Sequence, residues 1–227
     1  MATARSRVQY RVSAYNPAMP HPPHQAHPWH GIPAGEAAPE IINAFIEIVP
    51  GDTVKYEIDK ASGHLKVDRP QKFSSLCPAP YGFIPRTYCG LGVGKLAAEK
   101  TSRPMVKGDG DPLDICVLTE KIFTHGAFLL RARPIGGLLM LDREEADDKI
   151  IAVLVDDPAF GHFRDLHDCP APLIDRLRHY FLTYKLVPDA AGFKPGPVEI
   201  PQIYGREAAH EVIRKAMTDY DLEIAGA

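Results

Sequence analysis

An α+β fold, mainly β, is predicted from three features of the sequence. Segments of strand length, either continuously apolar or strictly alternating, recur between Phe45 and Val155. Two helical stripes are confined to the C-terminal third, and proline- and glycine-rich turns punctuate the strands. At 227 residues without internal repeats, the chain suffices for one sizeable core. The expected organisation is an extended arm over residues 1–43 and a single domain over 44–227.

The arm is rich in proline and histidine, with His21, His24, His27 and His30 recurring every three residues. In a polyproline II helix such imidazoles line one face about 9 Å apart, too far for a single ion with ligands near about 2 Å. An extended arm lying on its own domain or on a neighbouring subunit is therefore expected. The domain begins near Ala44. Phe45–Val49 is an apolar strand with Glu47 inside it, and a carboxylate there is costly unless paired or metal-bound. After the turn Pro50-Gly51-Asp52, Val54, Tyr56 and Ile58 alternate with Lys55, Glu57 and Asp59. A third strand, Leu65–Arg69, completes an expected antiparallel meander of three. From Pro70 to Pro85 the prolines exclude a helix and leave edge or irregular extended backbone, holding Tyr81 in a rigid segment. Gly90 to Gly108 reads as a surface loop or small hairpin.

The sequence centres on Gly108-Asp109-Gly110-Asp111-Pro112-Leu113-Asp114, followed by the apolar run Ile115–Leu118. Pro112 and Gly110 make this a rigid turn rather than a helix. Three carboxylates packed together repel by about 4 kcal/mol per pair at about 4 Å in an effective dielectric of about 20. A positive charge is therefore expected between them, and ligands that are all oxygen favour a hard cation, magnesium or manganese first. An ordinary Asx turn is the bland alternative. A calcium loop counted from Asp109 fails, because the sixth position, which needs glycine, is Asp114.

Residues 127–141 read as two strands with a bend at Gly136-Gly137. Asp142–Lys149 is then a second acidic cluster before the buried run Ile150–Val155, which Lys149 abuts. One helix is expected from Leu173 to Leu186, begun near Pro172, stopped before Pro188 and carrying Tyr184-Lys185 in its last turn. A final helix spans about Arg206–Met217.

A net charge of −3 argues against a phosphate backbone as the main partner. The four cysteines form no C-x-x-C pair and follow no signal sequence, so reduced thiols in the cytoplasm are expected. No apolar stretch approaches about 18 residues, and none of the apolar h-region of a signal peptide follows Met1–Arg11, whose arginines leave an organelle transit segment open. The candidate site inventory is Glu47, Glu57, Asp109, Asp111, Asp114, Asp142 and Asp147 with Lys55, Arg69, Lys149 and Lys185, and no Ser–His or Cys–His pairing is evident. Acids surrounded by bases suit divalent metals bridging a phosphorylated substrate.

These residues resemble those of the family I soluble inorganic pyrophosphatases over roughly Ala44–Gly205. The family signature stands as Asp109-Gly110-Asp111-Pro112-Leu113-Asp114. Around it, in order, are Phe45-Ile46-Glu47-Ile48, Lys55-Tyr56-Glu57-Ile58-Asp59, Val67-Asp68-Arg69, Tyr81-Gly82-Phe83-Ile84, Asp142–Lys149 and Tyr184-Lys185. The resemblance implies a five-stranded OB-like barrel with flanking C-terminal helices, and magnesium-dependent hydrolysis of pyrophosphate to two phosphates, with Mn2+, Zn2+ or Co2+ as substitutes. By position it implies Asp109, Asp114 and Asp147 on a first metal, Asp114 also on a second, Asp142 with Asp147 on a third, and Glu47 on a fourth. Asp111 becomes the general base. Lys55, Arg69, Lys149, Tyr184 and Lys185 hold the phosphates, Tyr81 assists, and Glu57 orients the bases. A homo-oligomer is implied, hexameric among bacterial members and dimeric among eukaryotic ones. The chain departs from the pattern in a longer segment between Tyr81 and the acidic turn, in Cys77 where many members carry tyrosine, and in Asp148 beside Lys149. The alternatives are a metal phosphohydrolase of other specificity and a non-catalytic OB-type binding domain.

Overall fold

The apolar runs form strands where the sequence puts them, and the computed structural model, which describes residues 25–186 and 196–226, joins them into one barrel. The strands are β1 (Ile42–Ile48), β2 (Val54–Ile58), β3 (Leu65–Pro70), β4 (Tyr81–Phe83), β5 (Lys107–Gly108), β6 (Asp114–Leu118), β7 (Phe128–Asp142), β8 (Glu145–Ala146), β9 (Lys149–Leu154) and β10 (Val198–Gly205). The helices are α1 (Leu91–Thr101), α2 (Ala171–Thr183) and α3 (Arg206–Glu223). Strands β1, β4, β6, β9 and β7 pair in that order, and β1 pairs back onto β7, closing a five-stranded OB-like barrel. Closure leaves these strands no free edge. Gly82 permits the closest approach in the ring, since a Cβ there would lie 1.9 Å from the Phe45 carbonyl oxygen.

The barrel strands are largely apolar because both their faces are covered over most of their length. Ile115, Val117, Ile150 and Ala152 pack with Val93 and Leu96 of α1 and with Val212 and Ile213 of α3. The alternate residues Cys116, Leu118, Ile151 and Val153 pack with Ile174, Leu177 and Phe181 of α2. Each fully buried Val, Leu, Ile or Phe side chain among them contributes about 1.5–3 kcal/mol.

Several expectations are corrected. The three-strand meander does not form: β2 and β3 make their own two-stranded sheet, while β1 pairs with β4 and β7. Residues 91–101 form helix α1, not a loop. Its glycines and weak amphipathicity conceal it, and its start is held from outside, because the Asp219 carboxylate on α3 accepts from the Gly90, Gly92 and Val93 amides. Residues 128–142 are one strand rather than two, with an irregularity between Pro134 and Gly136 where a bend was expected. Strand β4 is a full barrel member, made possible because Tyr81–Phe83 itself contains no proline. Strand β10 was not expected; it pairs only with β7, and Pro201 falls in its register shift, where no ladder amide is needed. Helix α2 ends at Thr183, so Tyr184 is its cap and Lys185 lies beyond it, while α3 runs on to Glu223.

The described part of the arm is not polyproline II. The Gly31 amide bonds back to the His27 carbonyl at 2.7 Å, the His27 and His30 rings lie 4.6 Å apart, and Trp29 is buried. Met1–Arg11, His21, His24 and Pro188 lie outside the described residues.

Candidate active site

The site forms at one rim of the barrel because strand ends bring their first or last residue there. Strands β6 and β9 run parallel, with Asp114 and Lys149 as direct register partners, and Phe83 of β4 faces Asp114 from the other side. Asp142 closes β7, Asp147 precedes β9, Tyr81 opens β4, and Glu47 lies near the end of β1. The turn before β6 carries Asp109 and Asp111, with Gly110 at φ +77°, a left-handed backbone that favours glycine. The β2–β3 sheet covers one side with Lys55, Glu57 and Arg69, and Tyr184 and Lys185 arrive from the end of α2. Every one of the candidate residues read from the sequence lines the same cavity of about 450 Å³.

Opposed charges organise the interior. The buried Lys149 ammonium pairs with both Asp114 and Asp147. Burial alone would lower its pKa, but these two carboxylates outweigh burial and raise it well above the lysine range. The Tyr81 hydroxyl donates to Asp114 Oδ2 at 2.5 Å, and Lys185 donates to Asp142 Oδ2 at 2.5 Å. Burial first, then Asp147 and Asp114, push the Asp109 carboxyl up to about 8. Burial, then Asp114, pushes Glu47 to about 8, although Glu47 Oε1 accepts from the Ile58 amide at 2.6 Å. Asp147 is raised to about 6, chiefly by burial. Lys55 pairs with Glu57 and, at 3.1 Å, with Asp68, which also holds Arg69 at 2.6 Å.

Such a site has an excess of buried negative charge. Asp142 Oδ1 is buried without a hydrogen-bond partner, and the donor set consists of carboxylate oxygens. Both features fit hard divalent cations. Among the described residues no three acids already converge on one point, because the Lys149 ammonium stands between Asp114 and Asp147.

Lys60, Asp68 and Glu145 also line the cavity and were not singled out from the sequence. Asp68 and Lys60 sit within or directly beside motif segments already noted, Val67-Asp68-Arg69 and Lys55–Asp59. Their proximity to those segments was the available signal.

A family model described as inorganic pyrophosphatase matches residues 44–221. An inorganic pyrophosphatase of Chlamydia trachomatis serovar L2 is 54% identical over 196 residues, covering 86% of this chain and 94% of the relative. A soluble inorganic pyrophosphatase of Oryza sativa subsp. indica is 44% identical over 160 residues, or 70% of this chain and 66% of the relative. The crystal structure of the Thermus thermophilus inorganic pyrophosphatase superposes with a TM-score of 0.68 at 29% identity, covering 87% of this chain and 99% of that one. With the signature turn, the closed barrel and the charged cavity all in agreement, the chain belongs to the family I soluble inorganic pyrophosphatases, metal-dependent enzymes that hydrolyse pyrophosphate to two orthophosphates.

Proposed function

We propose that the cation is magnesium, with Mn2+, Zn2+ or Co2+ as substitutes, and that the residues divide the work as their placement suggests. The observation that carries this reading is the convergence of all the candidate acids and bases on one cavity. Bound divalent cations would offset the substrate's charge and acidify water for in-line attack. Asp109, Asp114 and Asp147 would hold one cation, Asp114 a second, Asp142 with Asp147 a third, and Glu47 a fourth.

Asp111 accepts the proton of the attacking water as general base. Lys149 exchanges its carboxylate partners for phosphate oxygens, so its charge stays neutralised throughout. Lys55, Arg69, Tyr184 and Lys185 bind the remaining phosphate oxygens, and Tyr81 assists from its bond to Asp114. Glu57 orients Lys55. The acidic lining disfavours the alternative of a nucleic-acid-binding OB domain, because it repels a phosphate backbone.

We place the enzyme in the cytoplasm, consistent with its free cysteines, and as a homo-oligomer, hexamer or dimer. No helix among the described residues is long and apolar enough to cross a membrane.

Phosphate release from pyrophosphate, with magnesium and again with excess EDTA, tests the assignment. Rapid, metal-dependent release with little activity on ATP or a phosphate monoester is expected. Equal release from a monoester would favour a phosphohydrolase of other specificity.

A further inference from the structure

The segment ahead of the barrel is used. Residues 25–43 precede the span that the family model covers, yet they are packed against the two elements that carry the site. The His27 ring accommodates the β2–β3 turn: a Cβ at Gly63 would lie 2.9 Å from its Cδ2, and Nε2 is 3.2 Å from the Lys60 carbonyl oxygen. Two residues on, Trp29 is buried, and its indole N–H donates to the Thr87 carbonyl at 2.8 Å. The Thr87 hydroxyl in turn accepts from the Leu113 amide at 2.9 Å, inside the acidic turn. A short piece of arm is thus wedged between the β2–β3 turn and the turn that carries Asp111.

Lys60 projects across that junction. Its ammonium lies 5.9 Å from the Trp29 ring centroid, donates to the Gly110 carbonyl at 3.2 Å, and pairs with Asp111 Oδ1. The Asp111 side chain is 52% exposed, and among the described residues Lys60 is the only side chain that forms an ion pair or hydrogen bond with its carboxylate. A general base must be held in one orientation to act, and a displacement of about 1 Å can cost about 10²-fold in rate. A carboxylate this open to solvent needs a fixed partner.

We propose that Lys60 is a positioning residue for the hydrolysis, orienting Asp111, and that His27 and Trp29 of the arm fix Lys60 in place. The proposal rests on Asp111 being the general base. It gives the arm a catalytic purpose that needs no metal at its histidines.

Steady-state kinetics at saturating magnesium test it with Lys60→Met, Lys60→Arg, His27→Ala, Asp111→Asn and the double variants Lys60→Met/Asp111→Asn and Lys60→Met/His27→Ala. Lys60 is half-exposed, so its variants keep the fold. Lys60→Met should lower kcat about tenfold with KM for pyrophosphate within about twofold, and Lys60→Arg should restore most of the loss. His27→Ala should lower kcat about threefold, and less once Lys60 is already gone. In the Asp111→Asn background, Lys60→Met should change kcat by less than about twofold, because the residue it positions has been disabled. A full tenfold loss in that background, or a raised KM with kcat intact, would mean that Lys60 contacts substrate directly and would overturn the proposal alone. Asp111→Asn by itself should cost at least about 10²-fold. Near-normal turnover of that variant would overturn the general-base reading and the proposal with it.

Discussion

Asp114 and Lys149 are register partners across the parallel strands β6 and β9, and the ammonium of one is bonded to the carboxylate of the other. The pair is only 2% exposed on the lysine side. Two charges that would be expensive to bury singly are thereby placed side by side by backbone pairing, at the rim of the barrel. Lys149 also holds Asp147, so it occupies the position of positive charge between two acids.

Lys149→Met leaves Asp114 and Asp147 facing each other without compensation. The metal-free protein should lose about 3–5 kcal/mol of stability, as when one partner of a buried pair is removed. Turnover should fall at least about 10²-fold. Urea unfolding in EDTA and phosphate release in magnesium measure the two effects separately.

Magnesium should stabilise the native state by mass action, by about 2.7 kcal/mol at about 100 times Kd. For a chain of this size that is an increase in Tm of roughly 5–10 °C. A thermal scan across a magnesium titration checks this, and a flat Tm would argue against carboxylates shared among cations.

Asp219→Asn tests the cap that α3 provides for α1. The carboxylate accepts from three amides at 2.9–3.1 Å, and its replacement should cost about 1–2 kcal/mol. Because α1 contributes no side chain to the cavity, kcat at 25 °C should change by less than about twofold while the urea midpoint falls.

Asp157 should give a pH-dependent share of stability. Burial pushes its carboxyl up, but the Thr119 hydroxyl and the Phe160, Glu120 and Ala159 amides outweigh burial and hold it below the usual carboxylate range. A depressed folded pKa gives stabilisation that is complete above the unfolded value of about 4 and is lost as pH falls through the folded value. Asp157→Asn should therefore cost about 1–3 kcal/mol at neutral pH, and the gap from the wild type should close as pH falls below the unfolded value of about 4 and through the lower folded value. Urea midpoints of both proteins from pH 7 to pH 2.5 measure it.

Much of the site was legible because its chemistry is local. The three acids at 109–114, with a glycine and a proline between them, specify a rigid acidic turn wherever they occur, and Glu47 and Lys149 stood out as charges in apolar runs. Lys60 was not legible, since a lysine after Asp59 reads as a solvated turn until Trp29 and Asp111 are seen on either side of it. Helix α1 was hidden for a similar reason: its cap belongs to a residue more than a hundred positions away.

The sequence by itself determined the positions of β1, β2, β3, β6 and β9, the acidic turn, the apolar faces of α2 and α3, and the class of chemistry, because strand and helix periodicities and turn residues act over a few positions. Tertiary structure alone decided which strands pair, that β1 closes the ring on β7 instead of joining β2, and that Asp114 meets Lys149. Strand pairing is a contest among many apolar runs of similar character. Its outcome depends on covering both faces and on closing the barrel without a free edge, which no short stretch of sequence encodes.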